Sequence, residues 1–277
     1  MLIFVLQMQI LPALELSGFI KHYLFVETKT ETTKKLRLFS DGNMGLVFSF
    51  KNKMIKQFSL LNIPAYLPDS FVYGQIKSYR DLYCNGETSL MIVVFHSYGL
   101  HALLGMSSTE LIDGIVETEN LFGSAATSLF DKLASHDKLD ERIIILDNFF
   151  RSVLKKRPLL LQASVTASIQ FILENKGITS VKQLTDLTGC NERKLERIFM
   201  EHLGIGPKKF TNIVKLHIFL KYLKTKFETS SLTTISYEAG YYDQPHLIRE
   251  FKKYTGLTPS QYLKHANLLA VNFLELT

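Results

Sequence analysis

The 277-residue sequence predicts an α+β protein of two domains: a mainly-β N-terminal domain with trailing helices, followed by an all-α domain with two helix-turn-helix units. Three observations predict it. Short β-branched and aromatic runs fill the chain to about residue 98, and the apolar period turns helical from about Gly99. A segment near the C-terminus then occurs twice: Leu184, Gly189, Leu195, Arg197, Phe199, Gly204, Pro207 and Phe210 return as Ile235, Gly240, Leu247, Arg249, Phe251, Gly256, Pro259 and Tyr262. The first two pairs are 51 residues apart and the other six 52, as one residue inserted in a loop of a duplicated unit would give.

The N-terminal elements come first. Leu46 to Phe50, Leu60 to Ile63, Phe71 to Tyr73 and Leu90 to Phe95 read as strands, separated by Asp41-Gly42-Asn43, Pro64, Pro68-Asp69-Ser70 and Asn85-Gly86. Asn85-Gly86 is the strongest hairpin signal among them. Leu139, Ile143, Leu146, Phe150 and Val153 then recur at helical spacing, so 140–156 reads as an amphipathic helix, suited to a dimer seam or to packing on its own domain. Lys155-Lys156-Arg157-Pro158 breaks the pattern and sets the domain boundary, giving 1–157 as a sensor or dimerisation domain and 158–277 as the helical one.

In the helical domain, 160–175 reads as a helix closed by Lys176-Gly177, and Ser180 with Gln183 forms a capping box that opens the first unit, 181–203. Gly189 turns, Asn191 caps, and Leu195, Ile198, Phe199 and His202 mark the buried side of the next helix, which leaves Arg193, Glu196 and Arg197 facing outward. In the second unit, 232–255, Gly240 turns, Asp243 caps and Pro245 fits the first helical turn. Leu247, Phe251 and Tyr254 face inward, and Gln244, His246 and Arg249 outward.

The outward residues have the chemistry that reads base edges: Arg bonds two acceptors of guanine, Gln bridges adenine, and Glu accepts from the cytosine amino group. A single surface arginine is ordinarily just solvated, but two matched copies argue for base contact. Pro245 and Ile248 leave the second reader with fewer polar groups than the first. Between the units, residues 207–227 read as one lysine-rich helix. About 20 residues span roughly 30 Å, close to the ~34 Å between successive major-groove faces on one side of B-DNA. Lys194, Lys208, Lys209, Lys252 and Lys253 are the candidate phosphate contacts. Charge agrees: 177–266 holds 14 Lys and Arg against 8 Asp and Glu, an excess equal to the net charge of +6 on the whole chain.

Asn191-x3-Leu195-x-Arg197-x-Phe199-x4-Gly204-x2-Pro207-x2-Phe210 and Gly240-Tyr241-x-Asp243-x2-His246-Leu247-x-Arg249-x-Phe251-Lys252-Lys253-x-Thr255-Gly256-x-Thr258-Pro259-x2-Tyr262 resemble the DNA-binding domain of AraC/XylS-type bacterial transcription regulators. The resemblance covers about residues 160–264 and implies an all-helical unit on double-stranded DNA. The chain departs from that pattern at Thr185, Ser236 and Phe219, where alanine is usual, at Lys215 in place of arginine, and at Tyr241 in place of phenylalanine. The N-terminal part resembles the sensor domains of such regulators, some of them cupin-like barrels. Tyr66, Tyr73 and Phe95 are the candidate ligand residues there, although aromatics in a small barrel more often form its core.

The expected function is sequence-specific regulation of transcription across two successive major-groove segments, controlled by a small-molecule effector or by homodimerisation, with RNA polymerase as a partner of an activator. The alternative is an enzyme or DNA-repair protein with an accessory DNA-binding domain, but a metal-activated cysteine cluster is not available from Cys84 and Cys190 alone. A helical adaptor that binds only protein is a third class. His22, His96 and His101 are scattered without a His-x-His pattern, so no catalytic residue, metal site or cofactor is expected. The run Met1 to Leu6 lacks the charged start of a signal peptide, and no apolar stretch approaches the roughly 18 residues of a membrane helix. No membrane partner and a cytoplasmic location are therefore expected.

Overall fold

The computed structural model describes residues 5–58, 63–156, 162–270 and 272–276. Strands β1 (Val5–Ile10), β2 (Ile20–Phe39), β3 (Gly45–Ser49), β4 (Ile55–Phe58), β5 (Pro64–Tyr66), β6 (Ser70–Tyr73) and β7 (Tyr79–Phe95) build most of one antiparallel sheet. Helix α1 (Gly99–Leu104), strand β8 (Ile115–Glu117) and helices α2 (Thr118–Phe122), α3 (Ser124–Ala134) and α4 (Leu139–Lys156) complete the N-terminal part.

The sheet is organised on β2 and β7, which pair from Ile20↔Phe95 to Phe39↔Tyr79. Side chains alternate across a strand, and here both faces are buried, which explains the unbroken apolar run from Leu90 to Phe95. Tyr23, Phe25, Met91, Val93 and Phe95 pack with α1, α3 and α4, where Tyr23 Oη donates to Asp147 Oδ1 at 2.7 Å. Leu24, Val26, Leu90, Ile92 and Val94 form a second core on the opposite face. The 140–156 helix therefore covers its own sheet.

Two expectations are corrected, and a third lies mostly outside the described residues. Asn85-Gly86 makes no hairpin: both residues lie inside β7, where the register with β2 shifts between Thr30 and Lys34. The positive φ of 70° that Gly86 allows serves a bulge in a long strand. The strand expected at 60–63 falls largely on residues outside the described ones, and Ile63 itself is not in a strand.

The other correction concerns the C-terminal extent of the helical domain, expected at 158–277; the break at 157–158 itself lies outside the described residues. Helices α5 (Ala163–Glu174), α6 (Val181–Thr188), α7 (Glu192–Leu203), α8 (Pro207–Lys226), α9 (Leu232–Glu238), α10 (Gln244–Thr255) and α11 (Pro259–His265) form the all-α part. Strands β9 (Ala266–Ala270) and β10 (Phe273–Leu276) instead return to the N-terminal sheet, with β10 paired to β2 from Phe273↔Leu38 to Leu276↔Lys35. Leu269 and Phe273 join the β-domain core, while Phe39 and Leu274 join the helical one, so the two cores share this seam.

Candidate nucleic-acid interface

The first unit is shaped by local chemistry. Ser180 and Gln183 complete the capping box at α6, and Gly189 ends that helix at φ 65°. Asn191 Oδ1 then accepts from the Lys194 N–H at 2.8 Å to start α7. Leu195, Ile198, Phe199 and His202 are buried, so Arg193, Lys194, Glu196 and Arg197 lie exposed on the other side. The Glu196 carboxylate rests against the Gly206 backbone, where α8 begins.

In the second unit Ser231 caps α9 through the Thr234 N–H at 3.1 Å. Asp243 stands at the N-cap of α10 but its side chain makes no capping bond, and Pro245 in the first turn removes one N–H that would need a partner. Leu247, Phe251 and Tyr254 are buried, whereas His246, Arg249, Lys252 and Lys253 are exposed. Gln244 is half-buried, and its Oε1 accepts from Thr233 Oγ1 at 3.1 Å. Between the two units runs α8, 20 residues long, with Lys208 exposed and Lys209 half-buried in its first turn. Phe210, Ile213, Leu216, Phe219, Leu220 and Leu223 seat it in the core of the helical domain.

The N-terminal domain grips all three of these helices. At the end of α7, Ser108 Oγ donates to the His202 carbonyl at 2.7 Å, and the buried rings of His101 and His202 stand 4.0 Å apart. Among the described residues neither ring nitrogen of His202 has a hydrogen-bond partner, and burial followed by His101 pushes its pKa down to about 4. On α8, the His217 ring bonds the Ser40 carbonyl at 3.0 Å, and Gly42 leaves room for Phe210. At the end of α10, Arg37 donates to both Asp81 oxygens at 2.7 and 2.8 Å and to the Thr255 carbonyl at 3.4 Å, with its guanidinium 4.0 Å over the Tyr79 ring.

A cavity of about 640 Å³ lies on the inner side of the sheet and reaches α8. Its wall is apolar, with Leu24, Val47, Phe71, Leu82, Ile92 and Val94, and its charged groups are Lys21, Asp41, Arg80, Lys221 and Lys224. Burial pushes His22 down to about 4 and also lowers His217, so both imidazoles are neutral at pH 7. For Asp41, burial would raise the pKa, but Lys21, His217 and the bonds from Asn43 outweigh it and hold the carboxyl low. Net positive charge therefore remains around an apolar space. Of the three aromatics expected here, Tyr73 lines the cavity; Tyr66 is exposed, and Phe95 points to the opposite face against Phe150.

Arg37, His101, Lys21 and His217 had no signal in the sequence, because each is an isolated polar residue that acquires its partner only through tertiary contact. Among the described residues no group of three or more His, Cys, Asp or Glu side chains could hold a metal ion, and Cys84 and Cys190 are buried free thiols. No described helix is long and apolar enough to cross a membrane.

Comparison with known proteins matches residues 184–265 to a helix-turn-helix domain family and residues 8–117 to a domain of unknown function, DUF6597. An uncharacterized HTH-type transcriptional regulator of Haemophilus influenzae is 32% identical over 103 residues, which are 37% of this chain and 34% of that relative. The chain thus matches about a third of the length of that curated relative. Among solved structures, ToxT from Vibrio cholerae O395 is similar at 13% identity and a TM-score of 0.45, over 89% of this chain and 97% of ToxT. A ToxT structure with a bound unsaturated fatty acid gives 14% and 0.45, over 87% and 94%. A probable AraC family regulator from Rhodopseudomonas palustris gives 23% and 0.34, over 37% and 96%. Residues 184–265 thus match a helix-turn-helix domain family, and they fold as two helix-turn-helix units on one connecting helix, carried behind an N-terminal domain of its own.

Proposed function

We propose that the protein is a sequence-specific DNA-binding transcription regulator whose α7 and α10 read two successive major-groove segments. The observation that carries this reading is the pair of helices with exposed polar residues in their first two turns, Arg193, Glu196 and Arg197 on one and His246 and Arg249 on the other, in units joined by the single 20-residue helix α8. Gln244 completes the second set once its bond to Thr233 opens. Lys194, Lys208, Lys209, Lys252 and Lys253 supply phosphate contacts that add affinity without sequence information. No catalytic step is assigned. Work on chromosomal DNA gives the protein a cytoplasmic place, with RNA polymerase as a further partner if it activates.

The cavity supports control by a small molecule with an apolar body and an anionic end, because its wall is hydrocarbon and its charged groups are mostly cations. Its lining by Val214, His217, Ile218 and Lys221 of α8 gives such a ligand contact with the helix that separates the readers.

The test is selection of bound sites from a random duplex pool, followed by footprinting. Two protected segments about one helical turn apart on one face are expected. Failure to enrich any sequence, or an unchanged affinity and salt slope in the Arg197→Ala, Arg249→Ala double variant, would sink the reading.

A further inference from the structure

A second concavity, of about 580 Å³, opens where α7, α8 and α10 meet the N-terminal domain. Its cations come from three separate places: Lys208 and Lys209 in the first turn of α8, Lys253 on α10, and Lys77 on the N-terminal domain, in the segment between β6 and β7. Glu196 is the acid among them. It lies three residues from Arg193 on α7, about one helical turn away, so the cleft borders the side of that helix that carries this proposed base contact.

Among the described residues no carboxylate pairs with Lys208, Lys209 or Lys253 within 4.0 Å, and Lys77 has Asp113 at 3.4 Å while remaining largely exposed. Burial, and then repulsion from Lys77 and Lys253, lowers the pKa of the half-buried Lys209 amine against the pull of Asp113. The fold therefore holds like charges together across a domain boundary, where an anion would relieve them.

We propose that this cleft is a phosphate site for the DNA backbone between the two major-groove segments, and that Lys77 of the N-terminal domain is one of its cations. The proposal rests on the regulator reading above and extends it: the sensor domain itself touches DNA, so full affinity requires the two domains to be docked. DNA is the occupant that fits, because the cleft is walled by both reader helices and by the start of the helix that spaces them.

Duplex affinity of the full chain, measured against salt concentration, tests it. Each phosphate neutralised contributes about −0.9 to the slope of log K on log salt. Lys77→Ala is expected to reduce the slope by about one such increment, to weaken selected and scrambled duplexes by a similar factor of about three to ten, and to leave the melting temperature unchanged. Lys77→Arg should restore the slope. Because the cations share one phosphate, Lys77→Ala with Lys253→Ala should lose less slope than the two single losses summed. If the wild type binds its selected duplex and Lys77→Ala leaves the slope intact, the proposal is overturned while the regulator reading stands. If the wild type binds no duplex, both fall. Inorganic phosphate that stabilises the wild type but not Lys77→Ala, with the DNA slope unchanged, would assign the cleft to a free anion and also overturn the proposal.

Discussion

Arg197 and Arg249 occupy matching exposed positions on α7 and α10, so removing each measures what one helix contributes to the proposed base reading. A bidentate arginine–guanine pair is worth about 1–3 kcal/mol of discrimination. Arg197→Ala is expected to cost more than Arg249→Ala in competition binding, because α7 has the richer polar set. Two glycines provide an internal comparison for stability. Gly189 and Gly204 both have positive φ, 65° and 74°, but a Cβ on Gly189 meets nothing within 4 Å, whereas one on Gly204 would approach the Ser108 carbonyl at 2.9 Å. Gly189→Ala should cost about 1 kcal/mol for its backbone alone, and Gly204→Ala more, as read by urea titration. His202 adds a pH dependence. Its folded pKa of about 4 lies below its ordinary 6.5, so the unfolded chain binds the proton more readily. Its contribution is complete above about pH 6.5 and is lost as pH falls toward 4; His22, lowered in the same way, adds to the same trend. The wild type should therefore lose more stability across that window than His202→Phe does. Equal losses would show that the imidazole pair is not the sensitive contact.

Among the elements, the end of α10 depends on a single β2 side chain. Arg37→Ala removes the donor to the Thr255 carbonyl and leaves Asp81 with Lys35 at 2.8 Å. The expected cost is about 1–3 kcal/mol, with faster hydrogen exchange in the last turn of α10 than in α7. The elements most legible in the sequence were those specified by their own residues. Asn191 and Gly189 mark one turn, the buried positions of α7 follow helical spacing, and α8 runs from Pro207 almost to its expected end. Asn85-Gly86 misled because a turn and a bulge require the same left-handed backbone, and only the pairing of β7 with β2 distinguishes them. The contacts of Arg37, His101 and Lys77 were not legible, since a charge on a strand or loop shows its partner only after folding. Tyr66 and Phe95 show the complementary limit. Aromatic composition indicates a core, but the face of the sheet decides which side chain lines a cavity.

Across the domains, the cavity joins the sheet to α8, so a bound amphiphile with an anionic end should stabilise both. At a hundredfold excess over its dissociation constant, the gain is about 2.7 kcal/mol. A screen of such anions by thermal shift should give a rise that Lys21→Ala with Lys221→Ala abolishes; a rise unchanged in that variant would remove these lysines from the site. The return of β10 to β2 has a further consequence. Topologically the helical domain is an insertion within the N-terminal one, entered after α4 and left at β9. Any reorientation of α7 and α10 must therefore carry both chain crossings with it, and the two helices move as parts of one body.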